Sequence, residues 1–180
     1  MNLAEIDIRQ GDVFCTENVA FLGQVINWIQ KLSSKDDSSI YSHAGIITSM
    51  DGDTFEALST IRADHLSNRK GQKILIARPL FKDVVGGMIH PIEKKVAIVR
   101  LQDEYRGNWY PWWRLILHAI PLASRYISAQ GKFLVCSELV AKYLYLIGAR
   151  PEPYTGISPD DLADEFVRWS NYEVVFEGTL

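Results

Sequence analysis

In Phe133-Leu134-Val135-Cys136-Ser137-Glu138-Leu139-Val140 an apolar run arrives at a cysteine, and a helix-like pattern starts at once. Leu139, Val140, Tyr143, Leu144 and Ile147 recur at helical spacing and Gly148 supplies a stop, which puts Cys136 at or near a helix N-terminus. There the unpaired N–H groups and the positive end of the helix dipole favour a thiolate, and a thiol pKa can fall from about 8.5 to roughly 3.5–7.5. The competing reading is a buried structural cysteine, since a free thiol packs as a small hydrophobe. Cys15, in an apolar strand, is read that way.

A thiolate nucleophile needs a base within hydrogen-bond reach and a third group to orient that base. His43 is the best candidate base: it enters a predicted hairpin, and Ser42, Ala44 and Gly45 leave room beside it. Glu56, thirteen residues later on the return strand, is the candidate orienter. A carboxylate there would hold one imidazole tautomer and stabilise the imidazolium. Taken singly, each has a plainer reading, a satisfied strand histidine and a solvated strand carboxylate. Nothing around His65, His90 or His118 argues for chemistry, and the four histidines lack metal-ligand spacing, so no metal and no cofactor is expected.

The elements that must position these groups follow from pattern. Short strands are expected at Gly11 to Cys15, Tyr41 to Thr48, Thr54 to Leu58, Lys73 to Arg78 and Tyr172 to Phe176. Asp51-Gly52 between two of them is a hairpin signal. A plain two-residue turn there would pair Glu56 with Ile47 and His43 with Thr60. Glu56 would then lie about four residues along from His43 at ~3.3 Å each, so contact needs a longer loop or a bulge. Helices are expected from Asn18 or Glu17 to about Lys31, from Pro91 to about Tyr105, from Trp112 to about Tyr126, from Cys136, and from a Ser158 cap to near Trp169; Lys31 to Ser39 is a loop. Strands and helices do not alternate as parallel units, so the class is α+β, with residues 1–180 as one domain.

Composition removes other functions. Net charge is −3 and no Lys/Arg cluster tracks phosphates, which argues against a nucleic-acid partner. Two cysteines are too few for a disulfide framework, and no apolar run reaches the ~18 residues of a membrane span. Met1 to Ile8 is acidic and lacks a secretory pattern, so a cytoplasmic protein, or one delivered by a route other than general secretion such as a phage or effector component, is expected.

Taken together, the pieces resemble the circularly permuted branch of the NlpC-type papain-like hydrolases, the YiiX-like group. The matching stretches are Gly11-Asp12-Val13-Phe14, Tyr41-Ser42-His43-Ala44-Gly45-Ile46, Phe55-Glu56-Ala57, Val135-Cys136-Ser137-Glu138-Leu139-Val140 and Ser158-Pro159-Asp160-Asp161-Leu162. Histidine comes first and cysteine late, the reverse of ordinary papain-like enzymes. The resemblance implies a permuted papain-like fold in which a small antiparallel sheet carries His43 and Glu56, and a helix presents Cys136 against it. It further implies Cys136 as nucleophile, His43 as general base and acid, and Glu56 as the third member. The Cys136 backbone N–H would serve the oxyanion hole; Tyr41, near His43, and Ser137, next to the nucleophile, are the further candidate substrate or oxyanion residues. Glu138 in the first turn is read as a favourable charge with the helix dipole.

The implied activity is thiol-dependent hydrolysis of amide bonds through an acyl-enzyme, with a cell-wall peptide or a similar small amide as substrate. Two alternatives stand beside it. One is an acyl or thioester hydrolase or acyltransferase on lipid-like substrates, with Trp109 to Trp113 meeting an acyl chain or membrane surface. That segment reads first as an amphipathic core helix with a Trp-rich lid, which sets a membrane partner behind. The other is a non-catalytic binding or structural module with a vestigial site.

Overall fold

Alternate residues of the central strands face opposite sides, and both sides are buried. The computed structural model describes residues 5–17, 40–82, 86–109, 134–151 and 157–180. The helices expected over 18–31 and 112–126, and the loop to residue 39, lie outside the described residues. Strands β1 (Val13–Thr16), β2 (His43–Ile47), β3 (Asp53–Ala57), β4 (Ile61–His65), β5 (Lys73–Pro79) and β6 (Tyr172–Thr179) form one sheet in the order β4-β3-β2-β1-β5-β6. Every neighbouring pair is antiparallel.

On one face Val13, Cys15, Ala44, Ile46, Phe55, Leu75 and Ala77 pack with α1 (Pro91–Tyr105), α2 (Cys136–Leu146) and α3 (Pro159–Arg168). On the other, Phe14, Ile47, Ile74 and Ile76 pack with Ile6, Ile8 and Leu66. The described residues are therefore α+β, as expected, with a sheet buried on both faces rather than one. Among them, no helix is long and apolar enough to cross a membrane.

The helix starts follow local chemistry. Pro91 and Pro159 take the first helical positions, where a missing N–H costs nothing. Asp161 N–H donates to Ser158 Oγ at 3.0 Å, and Ser158 N–H returns a bond to the Asp161 carboxylate at 3.0 Å. At α2 the reciprocal half alone is chemically available: Glu138 Oε2 accepts the Val135 N–H at 3.1 Å. Beyond its end, Gly148 takes φ +76°, a backbone conformation that suits glycine.

Two elements were not anticipated: β4 and the 3-10 turn Leu66–Arg69 that follows it. β4 is a short sheet-edge strand whose alternation rests on only two apolar residues, Ile61 and Ala63, too brief a pattern to stand out.

Asp12 of the Gly11-Asp12-Val13-Phe14 stretch has a structural place. It is fully buried, and Arg78 of β5 donates to both its oxygens, at 3.0 and 2.9 Å. The Arg9 N–H adds a third bond at 2.9 Å. Tyr143 of α2 donates to the Gly11 carbonyl at 2.9 Å, tying the Cys136 helix to the same corner. Arg78→Met would leave the Asp12 carboxylate buried without its cation. The expected loss is about 3–5 kcal/mol, read as a lower midpoint in urea unfolding.

Candidate active site

His43 and Glu56 share a face of the sheet, and strand register decides whether they meet. The two-residue turn expected at Asp51-Gly52 is not formed. A longer loop connects the strands, with the Thr48 N–H on the Asp53 carbonyl at 2.7 Å, Ser49 Oγ donating to the Asp53 carboxylate at 3.0 Å, and Gly52 at φ +98°. Glu56 consequently lies opposite Gly45 instead of Ile47. That is a shift of two residues, which keeps the face and brings the carboxylate diagonally beside His43. His43 Nε2 and Glu56 Oε2 are 2.6 Å apart.

Gly45 makes this approach feasible. A Cβ there would fall 2.6 Å from the Phe14 ring and 2.8 Å from Glu56 Cγ. Phe14 in turn flanks the imidazole, with ring centroids 6.3 Å apart.

Cys136 is the first residue of α2 and is 3% exposed, against 4% for His43 and 0% for Glu56. Its thiolate form is favoured by the His43 side chain and by the backbone N–H groups of Ala44 and Ser137. With Nε2 on Glu56, Nδ1 is the ring nitrogen left for the thiol. The β2–β3 ladder starts at Gly45↔Glu56 and leaves out Ala44, whose backbone contributes to lowering the Cys136 thiol.

Burial opposes charge on all three groups, and their mutual contacts override it. Burial alone would push the His43 imidazole down, but bonds to Cys136 and Glu56 raise it to about 9. Burial would raise Glu56, but His43, Arg69 and Thr54 hold it at about 2. Burial would likewise raise the Cys136 thiol, and His43 brings it below its ordinary value. The contacts thus shift each of the three groups toward its charged form: thiolate, imidazolium and carboxylate.

Two further contributors were missed by sequence reasoning. Thr54 donates its hydroxyl to Glu56 Oε1, and Arg69 donates to Glu56 Oε2 at 2.5 Å. Thr54 was legible, since a residue two positions back on a strand shares its face. Arg69 was not: it arrives on the unanticipated 3-10 turn, thirteen residues past Glu56.

The remaining candidates are engaged elsewhere. Tyr41 gives its backbone N–H to Asp160 at 3.2 Å and its hydroxyl to Glu177 at 3.3 Å. The Ser137 hydroxyl donates to the Ile157 carbonyl at 2.6 Å, so what Ser137 offers the site is its N–H. Cys15 is fully buried in the helix-side core, with its thiol pushed up by burial. A groove along α1, lined by Ile92, Val96, Val99 and Arg100 among others, includes none of the cluster.

Fold and site together define an α+β protein with a buried Cys–His–Glu cluster at a helix N-terminus. Its fold is similar to that of the metalloprotein YiiX from Escherichia coli O157:H7, with a TM-score of 0.59 and 15% identity over 97% of this chain and 99% of that one. At that identity the likeness establishes a YiiX-like fold. No protein-family model and no curated protein matches the sequence. Among the described residues, no three His, Cys, Asp or Glu side chains form a group that could hold a metal ion. Glu56, the carboxylate of the cluster, is already bonded to the Arg69 guanidinium, so the described residues do not fit a bound cation there.

Gly45→Ala is expected to displace Glu56 or the Phe14 ring and to destabilise the protein by about 1–3 kcal/mol, measured by chemical denaturation.

Proposed function

We propose that the chain is a cysteine hydrolase of amide bonds, a single domain with the circularly permuted papain-like fold of the NlpC type. The observation that carries this reading is the imidazole of His43, bonded through Nε2 to Glu56 at 2.6 Å and interacting with the thiol of Cys136. In the proposed reaction the Cys136 thiolate attacks the carbonyl carbon and the carbonyl electrons move to oxygen. The N–H of Cys136, which a first helical position leaves without an intrahelical acceptor, is the proposed donor to that oxyanion.

The tetrahedral adduct expels the amine, which takes its proton from His43. Neutral His43 then removes a proton from water, the hydroxide attacks the thioester, and the carboxylic acid leaves as the thiolate and imidazolium re-form. Glu56 holds the ring in the tautomer that presents Nδ1 to the sulfur. By resemblance, the substrate is a cell-wall peptide or a similar small amide.

The sign of the pH dependence follows from the two groups. His43 is protonated below about 9 and loses its proton above it, so hydrolysis of a small peptide amide should fall on the alkaline side with a midpoint near there. The acid limb should lie below the ordinary thiol range, where Cys136 takes up a proton. Cys136→Ala should abolish turnover, and His43→Ala should lower it by about 10²–10⁴-fold. Near neutral pH, iodoacetamide should modify Cys136 far faster than Cys15, and His43→Ala should slow that modification. Equal, sluggish labelling of both thiols would defeat the reading.

A further inference from the structure

An anionic orienter creates a difficulty that a neutral one does not. A lone carboxylate beside an imidazolium matches its charge, and less of that charge remains to hold a thiolate on the ring's other side. In this site the carboxylate is not alone. Glu56 Oε2 is shared between His43 Nε2 at 2.6 Å and Arg69 at 2.5 Å.

Arg69 is 8% exposed, and among the described residues its buried Nε has no hydrogen-bond partner. Burying a guanidinium with an N–H unsatisfied is unfavourable, and the carboxylate contact is what offsets it. The backbone is arranged to deliver it: the Leu66 N–H bonds the Gly52 carbonyl at 2.9 Å, and His65 accepts the Ser67 N–H at 3.1 Å to cap the turn.

We propose that Arg69 is a positioning residue that neutralises Glu56, so that the charge of the His43 imidazolium is left to the Cys136 thiolate. The Glu56–Arg69 pair then acts on the ring as a neutral hydrogen-bond acceptor would. The proposal deepens the hydrolase reading, but its test does not depend on turnover.

The surrounding charges are of both signs. Asp64 of β4 lies 3.4 Å from Arg69 with 17% of its side chain exposed, and Arg62 opposite Glu56 is solvent-facing. Glu138 belongs to α2 itself, and Cys15 on β1 is next to the pair. Asp160 and Glu165 of α3 act on Cys15, Glu165 being held by Arg150 at 2.6 Å. Removing a cation from this set raises the pKa of each neighbouring group; removing an anion lowers it.

The test is the ultraviolet absorbance of the thiolate against pH, in a Cys15→Ser background that leaves one thiol. Arg69→Met should move the Cys136 midpoint up by about one unit, and Arg69→Lys should restore most of the shift. Asp64→Asn, which leaves Arg69 less compensated, should move it down by less. A merely structural Arg69 would lower the melting temperature of Arg69→Met and leave the midpoint where it was, and that result overturns the proposal. Should Arg69→Met fail to fold, Asp64→Asn decides, with an unmoved or raised midpoint counting against. A chain that hydrolyses no amide can still show these shifts, and a competent hydrolase can fail to show them, so the two readings stand or fall separately.

Discussion

The structure around the cluster depends on keeping the Glu56 carboxylate charged where no water reaches it. An ionised carboxylate inside a protein is strongly disfavoured unless its oxygens are fully bonded. Here Oε2 has His43 and Arg69, and Oε1 has Thr54. Those three donors come from β2, β3 and the 3-10 turn after β4, so three segments must meet at one carboxylate. Each constraint on the loops follows. The connection between β2 and β3 must be long enough to set Glu56 against Gly45, and the turn after β4 must fold back onto Gly52 to bring in Arg69.

This explains which parts were legible in the sequence. Periodicity and capping residues are local, and they located five of the six strands and the three described helices to within a few residues; Pro91 and Ser158-Pro159 marked two helix starts directly. The identities of Cys136, His43 and Glu56 as a possible cluster were legible too, because each sits beside a local signal. The contact between His43 and Glu56 was not, since Asp51-Gly52 favours a tight turn that would separate them. What overrides that preference is non-local: the bond from Leu66 to Gly52, the packing of Phe14 against Gly45, and the bonds to Glu56 itself. Arg69 was invisible for the same reason, as no periodic pattern marks a residue whose partner is set by a distant loop.

The likeness to YiiX over nearly the whole chain at 15% identity fits this division. Most positions of a sheet buried on both faces require only an apolar side chain of suitable volume, and many sequences satisfy that. Few positions are tighter. Gly45 is one, since Phe14 and Glu56 crowd it, and Gly11 is another, at φ +90° with Lys94 and Tyr143 where a side chain would go. Asp12 with Arg78 is a third kind, a buried pair in which neither partner can change alone.

β2 and β3 part company beyond Gly45↔Glu56. Within a continuous ladder the Ala44 N–H would point at a strand carbonyl, and the sulfur of Cys136 would have no backbone donor from the sheet. Ending the ladder at Gly45↔Glu56 frees that N–H one residue before the glycine that lets Glu56 approach His43. The register brings the carboxylate to Nε2, and the end of the ladder leaves the Ala44 N–H to act on the thiol. Neither is available to the tight-turn hairpin. The loop between β2 and β3, remote from Cys136 in the chain, thus shapes the surroundings of its sulfur through His43 and Glu56.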